Sequence, residues 1–204
     1  MALSNPSLTM PSDQELVMLA KSGDADAFTQ LVDRNAPKVY RTARHITKND
    51  ADAEDVLQDA FLKAYSKLDQ FEGTAQFYTW LTRIVVNESL MRLRGQKRRK
   101  TVSLDEDLQT EDSSIVRETR SKGETPAEAF ERAEIADVVA HAIDSLDEKY
   151  RAVFVLRGVE GFSTEETAQM LDLSTSAVKS RLLRARLQLK DKLKGVLGNH
   201  VGSA

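Results

Sequence analysis

The sequence predicts an all-α fold, two small helical domains joined by a flexible linker. Three observations predict it. Apolar residues recur at helical spacing in both halves, and no period-two run reads as a strand. Residues 100–130 are polar, charged and weakly periodic, too poor in apolar side chains to build a core. Residues 161–194, GFSTEETAQMLDLSTSAVKSRLLRARLQLKDKLK, have the layout of a helix-turn-helix with a basic second helix. A chain of 204 residues holds one large domain or two small ones, and the divisions expected are 13–99, 100–130 and 131–195.

In the first domain, residues 50–68 form a two-faced helix. Val56, Leu57, Ala60, Phe61, Ala64, Tyr65 and Leu68 share the stripe expected to be buried. Asp55, Asp59, Leu62 and Ser66 line the opposite face. An apolar Leu62 among carboxylates fits a protein partner with a basic, partly apolar surface; on pattern alone an ordinary solvated acidic face fits equally. Six of the chain's twelve aromatics then lie between Phe61 and Trp80. Gly73 and Thr74 mark a loop, and a helix carries Phe77, Tyr78 and Trp80 into the basic block Arg92, Arg94, Lys97, Arg98, Arg99, Lys100. Thr79, Arg83, Asn87 and Arg94 share a flank of that helix. Aromatics interleaved with cations suit single-stranded nucleic acid, where each stacked base contributes about 1–3 kcal/mol. An Asn beside a Gly-containing loop suits the edge of a flipped base. Phe77, Trp80, Leu81 and Ile84 equally fit a plain core.

The net charge of −3 looks wrong for a nucleic-acid binder until it is mapped. The basic block ending at Lys100 and a second one over 179–194 are separated by the acidic residues Asp105, Glu106, Asp107, Glu111 and Asp112. Salt screens charges beyond ~10 Å, so local basic surfaces and not the total set phosphate attraction.

The second domain opens on a helix with Ile135, Val138, Val139, Ala142, Ile143 and Leu146 on one stripe. A further helix holds Tyr150, Val153, Phe154 and Leu156 and stops near Gly158 to Gly161. In the helix-turn-helix, Ser163 and Glu166 make a capping box. Asp172 sits where a left-handed turn residue is expected. Val178, Leu182, Ala185 and Leu189 face inward at helical spacing. Ser176, Ser180, Leu183, Arg184 and Leu187 face outward, flanked by Lys179, Arg181 and Arg186. An Arg can read guanine and an apolar side chain can touch a thymine methyl.

Other classes are poorly served. There is no Cys, so no disulfide framework, thiol sensor or cysteine metal site. His45, His141 and His200 lack ligand spacing. No phosphate-binding Gly loop or nucleophile–base motif is present. The longest apolar runs are far too short to span a membrane, and the first residues lack a signal-peptide pattern. A cytoplasmic, non-enzymatic protein with no cofactor and no metal is expected.

These residues resemble the extracytoplasmic-function (ECF) group of bacterial RNA polymerase sigma factors over nearly the whole chain. DAEDVLQDAFLKAY resembles the region 2 helix that docks on the clamp helices of the polymerase β′ subunit. FYTWLTRIVVNESL resembles the segment that melts and reads the −10 promoter element. SLDEKYRAVFVLRGVEGFSTEETAQMLDLSTSAVKSRLLRARLQL resembles region 4, which binds the −35 element and the β flap. The resemblance implies polymerase contacts at Asp55, Gln58, Asp59 and Leu62. It implies that the loop around Phe71, Gly73 and Thr74 grips −10 bases, with Trp80 and Arg83 beside it and Asn87 at the base-pocket position. It places Arg157, Ser176, Lys179, Ser180, Leu183, Arg184 and Arg186 on −35 duplex. Glu72 stands where a basic residue is frequent, Thr167 where an aliphatic one is common, and Asp147 where Pro is frequent.

The implied partners are core RNA polymerase, promoter DNA and an anti-sigma factor, with no small-molecule substrate. The implied action is promoter recognition, −10 melting and transcription initiation in a stress or envelope response. A linker of ~30 residues reaches up to ~100 Å. That spans two elements about two DNA turns, or ~70 Å, apart. The competing reading is a free-standing helix-turn-helix regulator that binds duplex DNA without polymerase. Such a regulator has no need of an acidic outward face followed by an aromatic–basic strand reader.

Overall fold

The computed structural model describes residues 10–102 and 126–200. Every regular element among them is helical. The first group of helices is α1 (Asp13–Lys21), α2 (Ala25–Thr47), α3 (Asp50–Ser66), a 3₁₀ turn (Leu68–Gln70) and α4 (Phe77–Val102). The second is α5 (Pro126–Asp144), α6 (Glu148–Phe154), a π turn (Val155–Val159), α7 (Thr164–Leu171) and α8 (Thr175–His200).

Side chains that satisfy the unpaired first N–H groups of a helix set several starts. Ser12 and Glu15 form a capping box on α1. Asp24 accepts from Ala27 N–H on α2, and Asn49 from Asp52 N–H on α3. Lys48, left-handed at φ 64°, ends α2 and turns the chain into α3. Helices α2, α3 and α4 pack mutually around Leu31, Val39, Ala43, Ala53, Val56, Ala60, Leu81 and Val85, with α1 lying across them through Leu16 and Val17. A fully buried Val or Leu side chain among these stabilises by about 1.5–3 kcal/mol.

The α3 stripe is buried as expected at Val56, Ala60, Phe61 and Ala64. Tyr65 is the exception, at 57% exposure. It lies at the rim of the core, where it meets the Phe28 ring edge-on at 4.9 Å. The α5 stripe also divides. Ala142, Ile143 and Leu146 are buried against Ala185 and Leu189 of α8, whereas Ile135 and Val139 are exposed.

Helical structure trims the expected linker at both ends, since α4 runs to Val102 and α5 begins at Pro126. Pro suits a first helical position, where its missing N–H costs nothing. Residues 103–125, on which the expectation of a flexible acidic spacer falls, lie outside the described residues.

The two groups of helices pack on one another. Ile46 and Val86 from the first share a buried cluster with Leu156, Phe162 and Met170 from the second. Arg151, only 4% exposed, donates to the Leu146 carbonyl in its own group and to the Ile46 carbonyl across the boundary, both at 2.8 Å. Arg44 pairs with Asp50 at 2.7 Å and reaches Asp144 at 3.3 Å, and Lys97 pairs with Glu148. His45 lies beside this seam, and burial pushes its imidazole pKa down.

Candidate nucleic-acid interface

On α3, Asp55, Gln58, Asp59 and Leu62 are all exposed, Leu62 at 70%. Their spacing of three, four and seven places them along one face. That face has a neighbour. Arg92 of α4 donates to Asp52 at 2.6 Å and also pairs with Asp55, and Gln96 donates to Asp52 at 2.6 Å. The hydrogen bond that Arg92 donates to Asp52 is the main cause holding the guanidinium pKa above its ordinary value. Arg92, assigned from sequence to a basic block, therefore meets carboxylates of α3.

The loop between the 3₁₀ turn and α4 is shaped by Gly73, whose φ of 74° disfavours any side chain. Phe71 is 5% exposed, with its ring against Phe77 at 5.9 Å and Trp80 at 5.2 Å. Its side chain anchors the loop from beneath, and the loop's exposed surface is Glu72, Gly73, Thr74, Ala75 and Gln76. Lys21 of α1 fastens the same loop by donating to the Phe71 carbonyl at 2.6 Å and the Asp69 carbonyl at 3.3 Å. Thr79, Trp80 and Arg83 of α4 join the loop in lining a cleft. Asn87 is exposed one helical turn beyond Arg83 and does not line it.

The helix-turn-helix is built as its sequence suggests. Ser163 N–H donates to Glu166 at 2.7 Å, and Glu166 N–H donates to the Ser163 hydroxyl at 3.0 Å. Asp172 is left-handed, φ 53° and ψ 52°. Ser174 starts α8 by accepting from Ala177 N–H at 3.2 Å. Val178, Ala185 and Leu189 are buried and Leu182 half-buried. Ser176, Lys179, Ser180, Leu183, Arg184 and Arg186 are exposed, and Arg184 reaches the Tyr150 hydroxyl at 3.3 Å. Arg157 is set apart from them. It sits half-buried in the π turn and donates to the Phe162 carbonyl. A left-handed non-Gly residue carries about 1–2 kcal/mol of strain. Asp172→Gly is therefore expected to raise stability by about 0.5–1 kcal/mol, after the entropy cost of Gly. Thermal unfolding checks this, and a lowered Tm would show that the Asp side chain stabilises the turn.

Residues 31–99 match the family description Sigma-70 region 2, and residues 133–189 match Sigma-70, region 4. The ECF RNA polymerase sigma-E factor of Haemophilus influenzae is 34% identical over 189 residues, covering 91% of this chain and 97% of that protein. The chain belongs to the ECF RNA polymerase sigma factors. The fold agrees. The sigma factor RpoE in complex with the anti-sigma factor NepR from Bartonella quintana superposes with a TM-score of 0.64 at 26% identity, covering 82% of this chain and 96% of that one. CnrH in complex with the cytosolic domain of CnrY gives 0.60 at 32% identity, covering 90% and 97%. Membership supports the polymerase-dependent reading over the free-standing regulator.

Three residues of this sigma factor hold its surfaces in place, of which Lys21 and Glu160 were not singled out from the sequence and Tyr78 was read only as one of the interleaved aromatics. Glu160, just after the π turn, accepts from the Thr42 hydroxyl at 2.7 Å and from the Tyr78 hydroxyl at 2.5 Å. The Tyr78 ring also stacks on Phe162, with centroids 5.9 Å apart. Burial first, and the Glu160 carboxylate second, push the Tyr78 phenol pKa well above its ordinary value. Thr42 and Glu160 are 118 residues apart, beyond any local sequence pattern. Among the described residues no helix is long and apolar enough to cross a membrane.

Proposed function

We propose that this sigma factor docks on core RNA polymerase through the α3 face and reads a −35 duplex through α8. Its third task is to hold an unpaired −10 strand on the loop 72–74, Trp80, Arg83 and Asn87. The observation that carries this reading is the outward face of α8. There Ser176, Lys179, Ser180, Leu183 and Arg184 stand together in solvent while the opposite face is buried. Polar, cationic and apolar side chains displayed together on one exposed helix face are what a major-groove helix requires.

The action is physical, with no catalytic chemistry of the chain's own. Polymerase supplies the chemistry; the sigma factor supplies position and a trap for unpaired bases. That trap must offset an unstacking cost of a few kcal/mol. Solved relatives carry anti-sigma partners, which supports such a partner here, and the work is assigned to the cytoplasm, where polymerase acts.

Run-off transcription with purified core polymerase on a promoter-fragment library tests the reading. Protein-dependent transcripts sharing two spaced upstream elements are expected. No transcription, alongside tight duplex binding without polymerase, would sink it. Within such a promoter, Arg184→Ala should cost about 1–3 kcal/mol at one −35 position. An equal loss on every sequence would show a phosphate contact instead.

A further inference from the structure

Arg184 stands apart from the other cations on the outward face of α8, because it is tied to the body of its own helical group. Its Nη1–H donates to the Tyr150 hydroxyl of α6 at 3.3 Å. Lys179 and Arg186 on the same face have no comparable bond among the described residues. Tyr150 and Arg184 are 34 residues apart in the chain, and the packing of α6 on α8 brings them together.

The acceptor is a fixed point. Tyr150 is 7% exposed, and its ring shares a buried cluster with Ile143, Leu146, Val155, Ala185 and Leu189. Ala185 directly follows Arg184, so the ring packs on α8 at the root of the side chain that its hydroxyl meets. The Lys149 ammonium lies over the same ring, 4.9 Å from its centroid. An arginine free in solvent loses much of its rotamer freedom when a base orders it. One already guided by a rigid neighbour loses less on binding. The bond is also long for an N–H···O contact, so it steers the guanidinium without holding it back from a stronger acceptor. Using Nη1 for the phenol leaves the Nε–Nη2 edge whole. That edge can make the paired bonds to O6 and N7 that a guanine offers in the major groove.

We propose that Tyr150 is a positioning residue for −35 recognition. Its hydroxyl aims the Arg184 guanidinium at one guanine, so a buried residue of α6 sets specificity through a side chain of α8. The proposal rests on the reading of Arg184 as a base reader. It implies a particular split: Tyr150 governs how well one base pair is told from the others, while overall affinity for DNA stays with the rest of the face.

The test uses the full chain with core polymerase. The probes are promoter duplexes carrying each possible base pair at the −35 position where Arg184→Ala concentrates its loss. Tyr150→Phe keeps the buried ring and removes only the hydroxyl, so Tm and helical circular dichroism should match the wild type. With the duplexes competing in one tube, its preference for the best base pair should fall about three- to tenfold. Its affinity for a duplex mismatched at that position should stay within about twofold. In an Arg184→Ala background the same substitution should change nothing, because its effect passes through Arg184. On the free chain, the heteronuclear NOE of Arg184 Nε–H should drop in Tyr150→Phe while that of Arg186 holds. An undiminished preference in Tyr150→Phe would overturn the proposal, as would an equal loss in the Arg184→Ala background. A raised preference would overturn it too, by showing that the phenol holds Arg184 away from DNA. Failure of the underlying reading looks different. Arg184→Ala would then weaken every duplex equally, marking a phosphate contact, and the positioning role would fall with it.

Discussion

Arg151→Ala is expected to lower stability by about 3 kcal/mol, the scale for removing a buried charged donor from its acceptors. The guanidinium is 4% exposed and donates to two carbonyls, Leu146 and Ile46. Truncation leaves both short of a partner and opens a void the length of the side chain. Burial already lowers the Arg151 pKa, with Asp144 the largest charge opposing that shift. The net effect is therefore set by lost bonds more than by a favourable charge. Arg151→Met, which keeps the aliphatic stem, should lose roughly half as much. For a chain of this size the Ala variant corresponds to a fall in Tm of about 6–12 °C. A loss under about 1 kcal/mol would show that water replaces the guanidinium, and that the bond across the seam adds little.

Leu62→Asp carries the second large effect, on polymerase binding. Leu62 is 70% exposed on a face otherwise made of Asp55, Gln58 and Asp59. A lone apolar side chain in such a setting is the natural anchor of a docking surface. Replacing it by a carboxylate should weaken core polymerase binding by about 2 kcal/mol, roughly thirtyfold. Stability should not change, because little area is buried there. Titration of labelled core polymerase reads the first, and thermal unfolding the second. Wild-type polymerase affinity in the variant would remove α3 from the docking surface. The Arg92 pairing with Asp55 adds a detail to the electrostatics. A basic partner must compete with Arg92 for that carboxylate, so Asp59, which carries no ion pair among the described residues, is the freer handle for steering.

Local rules carried much of this architecture. The capping box at Ser163, the left-handed Asp172 and the inward stripe of α8 each depend on residues within a few positions of one another. Such patterns can be read from a chain directly. The same holds for the α3 face, since spacing alone puts Asp55, Asp59 and Leu62 together. Where periodicity misled, the stripe was right and burial along it was not. Tyr65, Ile135 and Val139 sit on correct stripes yet are exposed, whereas their stripe neighbours Ala64, Ala142 and Ile143 are buried. Phe71 shows a different limit. Composition marks an aromatic near a loop, but only packing against Phe77 and Trp80 decides that its ring faces inward. Contacts across the seam were invisible for a third reason. Thr42 and Tyr78 are ordinary polar residues of α2 and α4, Glu160 follows the π turn, and only the approach of two helical groups gives them a common purpose.

The Lys21 tether has a consequence for fidelity. An ammonium group from the first helix grips two carbonyls of a loop some fifty residues later, so α1 shares in setting that loop's shape. If the loop reads a strand as proposed, holding it in one conformation leaves little ordering entropy to lose on meeting a matching strand and keeps it from bending to suit a mismatched one. Loosening the tether would make the loop more forgiving. Discrimination between correct and incorrect bases would then erode sooner than overall affinity, and the N-terminal helix would act as a guardian of accuracy at a distance.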